Sequence, residues 1–247
     1  MISKTHTKYI QSLHHKKFRD EYGVFIAEGP KLVLDLLKNG KFICKELLSV
    51  NKWLETYAGL AAINAETTFI ELQDFELEKI SFLATPHQVL AVFEQQKLVI
   101  PVEVRGLVTL VLETIQDPGN LGTIIRTADW FGIKNIICSP DCVEMYNPKL
   151  VQSTMGSLGR VNLNYTSLPD WMRQHQHVRS YACTLNGLAV DQLGQVKEGI
   201  FIIGNESNGI SGELLQMAHE QITIPKKGGA ESLNAAVAAG IIISQVI

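Results

Sequence analysis

Three short polar segments hold the residue types in this chain that are suited to chemistry. They begin at Asp117 (DPGNLGTIIRTA), Gly204 (GNESNG) and Ile224 (IPKKGGAESLNAAVA). Each combines glycines, which let a ligand approach the backbone closely, with amide, carboxylate, hydroxyl or guanidinium side chains. Such groups bind polar or anionic ligands and stabilise charge that develops during a reaction. The stability of a fold alone does not require three such segments.

The first segment lies between the apolar run LVTLVLETI and the helical pattern TIIRTADWFG. Asn120 and Thr123 are residue types that cap helices, so we expect them to begin this helix and its free N–H groups to be able to hold an anion. Arg126 falls about one turn into the helix. Taken alone, the segment is also compatible with a tight turn followed by a surface arginine.

The second and third segments also follow apolar runs. In GNESNG, Gly204 and Gly209 permit close approach of a ligand, and Glu206 projects from a strand end. The segment matches neither the GxGxxG dinucleotide fingerprint nor a phosphate-binding loop that ends in Gly-Lys-Ser/Thr. In the third segment, Ser232 or Asn234 can cap the final apolar helix, but a cap requires only one of them.

The elements that must position these segments indicate an α/β fold. Short, nearly continuous apolar runs (LVTLVLETI, KNIICS, VRSYACTL, GIFIIG and EQITIP) alternate with helical patterns (TIIRTADWFG, LPDWMRQH, SGELLQMA and AAVAAGIIIS). Strands that are apolar throughout and alternate with helices predict a parallel sheet covered on both faces. Ligands bind such sheets at the carboxyl ends of the strands, so we expect the chemistry there.

A smaller α/β unit precedes this sheet. Residues 28–40, EGPKLVLDLLKNG, predict a helix with Pro30 in its first turn and Gly40 at its end. Short strand-like runs follow, and QQKLVIPVEVR has the character of a linker. The sequence therefore predicts four parts: a basic arm (1–19), a small domain (20–95), a linker (96–105) and a larger domain (106–247).

Charge indicates a nucleic-acid partner. The net charge is −3, yet residues 1–19 contain five basic residues and no carboxylate. A basic arm on an otherwise acidic chain is typical of contact with phosphate, although a solvated terminal helix is the alternative. The candidate phosphate ligands are Lys4, Lys8, Lys16, Lys17 and Arg19.

Composition disfavours several other classes. The longest apolar stretch, AAVAAGIIISQVI, is shorter than the roughly 20 residues of a membrane-spanning helix, and the N-terminus has no apolar run of the secretory kind. Cys44, Cys138, Cys142 and Cys183 include no CxxC pair, so neither a metal site nor a disulfide is predicted. We expect a reduced cytoplasmic protein without a metal or a membrane partner.

Together, and in this order, the three segments resemble the signature motifs of the SpoU/TrmH family of RNA methyltransferases, within the SPOUT class. YNPKLVQSTMGSLGRV is similar to the sequence between the first two motifs, and the resemblance covers residues 106–247. It implies a parallel sheet with a C-terminal trefoil knot, a homodimer, and methyl transfer from S-adenosylmethionine to a ribose 2′-hydroxyl of RNA. Residues 20–95 resemble the small L30e-like domain that binds RNA in some members.

The resemblance also implies roles for individual residues. Arg126 matches the family's proposed catalytic arginine, which acts across the dimer interface; because a guanidinium stays protonated, we expect it to hold a phosphate and stabilise the emerging alkoxide. Asn120, Glu206, Ser232 and Asn234 would build the same site, with Glu206 a candidate proton acceptor. The residues implied for the cofactor are Leu185, Gly204, Asn205, Gly209, Ile224 and Leu233.

The substrate and two other functional classes stay open at this point. The preceding small domain favours ribosomal RNA over transfer RNA, because minimal family members that lack it often act on tRNA. A non-catalytic RNA-binding protein with the same fold is disfavoured by the intact polar residues of the three motifs. A nucleotide-binding oxidoreductase is disfavoured by the missing glycine fingerprint.

Overall fold

The computed structural model divides the chain into two compact units. The residues that the structure describes are 2–57, 67–96 and 102–247. Unit 1 comprises Met1–Lys97 with Glu144–Arg160, and unit 2 comprises Leu98–Val143 with Val161–Ile247. The segment 144–160 therefore folds with the N-terminal part of the chain, although its sequence lies within the larger predicted domain. Of the predicted linker, residues 97–101 lie outside the described residues.

Helices and strands alternate along most of the described residues. The α-helices are α1 (Lys4–Ser12), α2 (Lys16–Tyr22), α3 (Pro30–Asn39), α4 (Asn51–Tyr57), α5 (Asp74–Ile80), α6 (Pro118–Trp130), α7 (Pro148–Ser153), α8 (Leu168–Gln174), α9 (Gly212–Met217) and α10 (Ala235–Val246). The strands are β1 (Val24–Glu28), β2 (Cys44–Val50), β3 (Thr68–Leu72), β4 (Val89–Glu94), β5 (Val108–Leu112), β6 (Asn135–Cys138), β7 (Asn162–Tyr165), β8 (Ser180–Ala189), β9 (Gly199–Ile203) and β10 (Glu220–Thr223).

Unit 1 is built on a four-stranded mixed sheet with the order β1-β4-β2-β3. β4 runs antiparallel to β1 and β2, whereas β3 pairs in parallel with β2. The helix predicted over 28–40 is confirmed as α3. Pro30 occupies its first turn, where a missing N–H costs nothing, and Gly40 ends it at φ +71° in the left-handed region.

The basic arm is an integral part of unit 1. Ile10 and Leu13 are fully buried in the core of this unit. Arg19 is only 2% exposed: its guanidinium donates to the carbonyls of Leu13 and His14, each at 2.8 Å, and pairs with Glu144. The structure thus gives Arg19 a structural role in place of the predicted contact with RNA. The other four basic residues, which we call the arm lysines, are exposed: Lys4, Lys8, Lys16 and Lys17.

Unit 2 contains the predicted parallel sheet. Its six strands have the order β10-β8-β9-β5-β6-β7, and every neighbouring pair is parallel. All five residues of β9 are buried, so both faces of the sheet are covered at its centre. On one face, α8 and α9 pack against strand residues in a single apolar cluster that includes Val111, Ile137, Trp171, Ile202 and Leu214. α10 packs against α6.

Two structural findings bear on the other expectations from composition. None of the helices in the described part of the chain combines the length and apolarity that crossing a bilayer requires. The four cysteines are free thiols, and the described residues contain no group of three or more His, Cys, Asp or Glu side chains arranged to hold a metal ion.

Candidate active site

The three polar segments lie at one edge of the unit 2 sheet. β5 and β9 are parallel neighbours, so the chain leaves Leu112 and Ile203 side by side. The first exit leads into α6 and the second into GNESNG, while the third segment leads from β10 into α10, which packs on α6. This edge is formed by the carboxyl ends of the strands, where parallel sheets bind ligands.

One residue from each segment contributes to a hydrogen-bonded group that we call the motif cluster: Asn120, Glu206 and Asn234. Glu206 Oε1 accepts hydrogen bonds from Asn120 Nδ2 (2.6 Å) and Asn234 Nδ2 (3.5 Å). Asn234 Nδ2 also donates to Asn120 Oδ1 (2.9 Å), and the backbone N–H of Ala235 donates to Glu206 Oε1 (3.2 Å). The structure therefore brings together three of the five side chains implied for catalysis.

The N-terminus of α10 points at this cluster. Its N-cap is Asn234, whose Oδ1 accepts from the N–H groups of Ala236 (3.0 Å) and Val237 (3.3 Å). The positive end of the helix dipole therefore lies beside the Glu206 carboxylate, where it stabilises negative charge. Of the two caps considered from the sequence, Ser232 and Asn234, the structure selects Asn234.

α6 begins earlier than expected. Its N-cap is Asp117, whose carboxylate accepts from the Asn120 N–H (2.9 Å), and Pro118 occupies the first helical position. The expectation that Asn120 and Thr123 cap this helix is wrong, because both lie inside it. The Asp-Pro pair was the missed signal, since proline is favoured at the position directly after an N-cap.

The GNESNG loop is closed by its own backbone. Asn205 and Gly209 exchange two backbone hydrogen bonds of 3.2 and 2.9 Å, and Gly209 has φ +67°. A β-carbon on Gly204 would lie 2.2 Å from the Gly209 carbonyl oxygen, so only glycine fits at that position. Asn205 uses its side chain within the loop: Oδ1 accepts from the N–H groups of Ser207 (2.8 Å) and Asn208 (3.3 Å).

Arg126 and Ser232 stand apart from the motif cluster. Arg126 is the ninth residue of α6, about two and a half turns from its start rather than the one turn expected, and it is exposed. It lies about 9 Å along the helix axis from Asn120, and its guanidinium has no partner among the described residues. Ser232 is also exposed and forms no hydrogen bond within the described part of the chain. An exposed, unpaired guanidinium is suited to binding phosphate.

The residues implied for the cofactor belong to three adjacent strands and the segments that follow them, in the order β10-β8-β9. Leu185 is 71% exposed and lies in a stretch of β8, between Ala182 and Leu188, that leaves the pairing with β10. Ile224 follows β10 and is half-buried, and Leu233 is 43% exposed. Apolar side chains beside strand-end backbone suit a flat ring with polar edges, so this set fits the adenosine part of S-adenosylmethionine.

The model of the SpoU rRNA Methylase family matches residues 107–244, and that of the MRM3-like substrate binding domain matches residues 4–91. The chain belongs to the SpoU rRNA methylase family. It is an RNA ribose 2′-O-methyltransferase that uses S-adenosylmethionine.

Relatives of this SpoU methylase match it along nearly its whole length. It is 31% identical over 242 residues to the 23S rRNA (guanosine(2553)-2′-O)-methyltransferase RlmP of Bacillus subtilis, a match that covers 94% of this chain and 92% of the relative. Its structure is similar to that of a TrmH-family protein from Porphyromonas gingivalis, with a TM-score of 0.87, 33% identity and coverage of 99% and 98%. An AdoMet-bound rRNA methyltransferase from Sinorhizobium meliloti gives a TM-score of 0.86, 32% identity and coverage of 99% and 95%.

Proposed function

We propose that this enzyme methylates the 2′-hydroxyl of one guanosine in the large-subunit ribosomal RNA. The observation that carries the proposal is that both units, and not the methylase part alone, match the Bacillus subtilis 23S rRNA enzyme. RNA ribose is the target because the 2′-hydroxyl distinguishes RNA from DNA. We also propose that the N-terminal residues form an L30e-like domain that binds this RNA, in keeping with their match to a substrate-binding domain.

The motif cluster is proposed to orient the nucleophile. Three donors hold Oε1 of Glu206, whereas Oε2 receives no hydrogen bond from the described residues, and the residue is exposed. Oε2 is therefore available to accept the proton of the ribose hydroxyl, directly or through a water molecule. Asn120 and Asn234 keep the carboxylate in one orientation by bonding to it and to each other.

The cofactor is proposed to bind between the GNESNG loop and the third segment. S-adenosylmethionine supplies the electrophilic methyl group when it is bound. Gly204, Asn205 and Gly209 present their backbone to it, and Leu185, Ile224 and Leu233 provide apolar contacts. This assignment is supported by the lack of room for a side chain at Gly204 and by the exposure of Leu185 and Leu233.

Arg126 is proposed to bind the phosphate next to the target ribose and to stabilise the alkoxide as it forms. It cannot serve as the base, because its guanidinium stays protonated at any ordinary pH. About 9 Å along α6 from Asn120, it is poorly placed to reach the motif cluster of its own subunit. We therefore propose that Arg126 completes the site of a second subunit.

A homodimer is also supported by exposed apolar side chains in unit 2. Trp130 at the end of α6 is 86% exposed, and Val237 on α10 is 50% exposed, although α6 and α10 pack together. Contiguous apolar patches mark association surfaces in soluble proteins, and these two side chains come from helices that pack together. We propose that a second copy covers them, and that residues 106–247 carry the C-terminal trefoil knot of the family.

The test is methyl transfer from tritiated S-adenosylmethionine to RNA isolated from a strain that lacks this gene. We expect label in the large-subunit rRNA fraction, and ribose-methylation mapping should locate it at a single guanosine. Label confined to the tRNA fraction would overturn the proposed substrate. An absence of label in every fraction, with S-adenosylhomocysteine still bound, would also overturn it, because the cofactor site would then be intact without methyl transfer to this RNA.

A further inference from the structure

The chain turns sharply at Thr114, directly after β5. Thr114 has φ +58°, in the left-handed region that a β-branched residue rarely adopts. Its neighbours are fixed on both sides: the Glu113 N–H donates to Ile203 O (2.9 Å), and Ile115 O accepts from the Val143 N–H (2.9 Å). A backbone conformation that is unfavourable in itself persists only where its surroundings hold it.

Two residues of the loop after β6 hold Thr114 in this conformation. The Thr114 N–H donates to Ser139 Oγ (2.9 Å), and the Thr114 hydroxyl donates to Asp141 Oδ2 (2.8 Å). Ser139 Oγ in turn donates to Asp141 Oδ1 (2.5 Å), so both carboxylate oxygens are used. These bonds, first that from Ser139 and then that from Thr114, lower the pKa of Asp141 from its ordinary value and so favour its ionised form.

The third polar group of Thr114 reaches the proposed cofactor loop. Thr114 O accepts from Asn205 Nδ2 (3.1 Å). Asn205 Oδ1 accepts from the N–H groups of Ser207 and Asn208. Glu206 therefore lies between Asn205, which provides the side-chain amide, and Ser207, which is bonded to it. The conformation of Thr114 therefore decides where the Asn205 amide, and with it the GNESNG loop, is anchored.

We propose that Asp141 is a positioning residue for the cofactor loop, and that it acts by holding Thr114 in the left-handed conformation. The inference rests on the proposed cofactor site. Asp141 touches no reacting atom in this scheme. It raises the fraction of molecules whose GNESNG loop is ready to bind S-adenosylmethionine.

A positioning role and a catalytic role predict different effects on KM and kcat. At a residue other than glycine, the left-handed conformation is about 5- to 30-fold less populated than the right-handed one unless its surroundings hold it. Apparent affinity falls in proportion to the binding-competent fraction. Asp141→Ala should therefore raise the Kd for S-adenosylhomocysteine and the KM for S-adenosylmethionine by up to about this factor. The kcat at saturating cofactor should be unchanged.

The decisive experiment is a double-mutant cycle with Thr114→Gly. Glycine adopts positive φ without a penalty and keeps the N–H and C=O that bond Ser139 and Asn205. Affinity for S-adenosylhomocysteine, measured by calorimetry, should fall in Asp141→Ala and be largely restored in the Asp141→Ala/Thr114→Gly double variant. The control Asp170→Ala removes an exposed carboxylate of α8 that pairs with Arg173, and it should bind as the wild type does.

Several outcomes would overturn the proposal. They are wild-type affinity in Asp141→Ala, a double variant as weak as the single one, or a loss of kcat at saturation that Thr114→Gly does not restore. If Asp141→Ala does not fold, Asp141→Asn takes its place in the same cycle and is judged by the same outcomes. Failure of the proposed cofactor site would be recognised separately. Gly204→Ala would then bind S-adenosylhomocysteine as the wild type does, whatever the result for Asp141→Ala.

Discussion

Gly204→Ala tests the cofactor loop with a single methyl group. The added β-carbon would lie 2.2 Å from the Gly209 carbonyl oxygen and 2.6 Å from the Ile210 nitrogen, whereas real β-carbons almost never come within 3.0 Å of such atoms. Both contacts are to backbone, which has no flexible end to move aside. The chain around Gly209 must therefore shift by at least about 0.8 Å.

That shift breaks the geometry on which methyl transfer depends. The Asn205–Gly209 backbone pair closes the loop that carries Glu206, so a displaced Gly209 moves the carboxylate of the motif cluster. A misplacement of about 1 Å in an active site typically costs on the order of 10²-fold in rate. We expect kcat/KM for methyl transfer to fall by about 100-fold, or roughly 3 kcal/mol, and the affinity for S-adenosylhomocysteine to fall with it.

A matched control lies eight residues further on. A β-carbon on Gly212, at the first position of α9, would meet nothing within 4 Å. Gly212→Ala should therefore retain full activity and gain slightly in melting temperature, because alanine favours the helix. The assay is tritium transfer to rRNA, with circular dichroism to confirm folding of both variants. Wild-type turnover in Gly204→Ala, or equal losses in the two variants, would refute the steric reasoning.

Three further predictions concern the RNA and the second subunit. Arg126→Ala should reduce transfer by about 10²–10³-fold without loss of S-adenosylhomocysteine binding, and Arg126→Lys should restore little, because an ammonium lacks the two-pronged phosphate contact. Near-normal turnover of either variant would remove Arg126 from catalysis. Replacing the four arm lysines with alanine should reduce the slope of log RNA affinity against log salt concentration by roughly 0.7–0.9 per lost phosphate contact. An unchanged slope would show that these lysines do not contact the RNA. Mixing inactive Arg126→Ala with inactive Asn234→Ala should recover activity through heterodimers, and no recovery in proven heterodimers would contradict a shared site.

Substitutions test the arm lysines better than a deletion of residues 1–19 would. Residues 1–19 look like a separable basic extension because their charge differs from that of the rest of the chain. In the structure, Ile10 and Leu13 are fully buried, and Arg19 pairs with Glu144. Removing the segment would expose the core of unit 1 and confuse loss of stability with loss of RNA contacts.

The meeting of the three motifs could be predicted from the sequence, because parallel strands deliver their carboxyl ends to one edge. The apolar runs identified five of the six strands of the unit 2 sheet. β7 was missed because its sequence, NLNY, contains two asparagines, of which Asn164 is buried in the structure. Thr114 was missed for a different reason: its left-handed conformation depends on Ser139 and Asp141, which are distant in sequence.

The placement of segment 144–160 limits how this protein can be recombined with its relatives. Tyr146 stacks on Phe25 of β1 with ring centroids 4.7 Å apart, and a β-carbon on Gly156 would lie 2.7 Å from the Asp35 carboxylate of α3. A chimera cut once, between the N-terminal domain and the methylase domain, would separate Phe25 and Asp35 from the native residues of segment 144–160 that they contact. An exchange of RNA-binding modules among family members must therefore transfer residues 144–160 as well, with three junctions instead of one. A single crossover between two genes joins one N-terminal stretch to one C-terminal stretch, so it cannot transfer this module intact, because its residues come from two separate stretches of the chain.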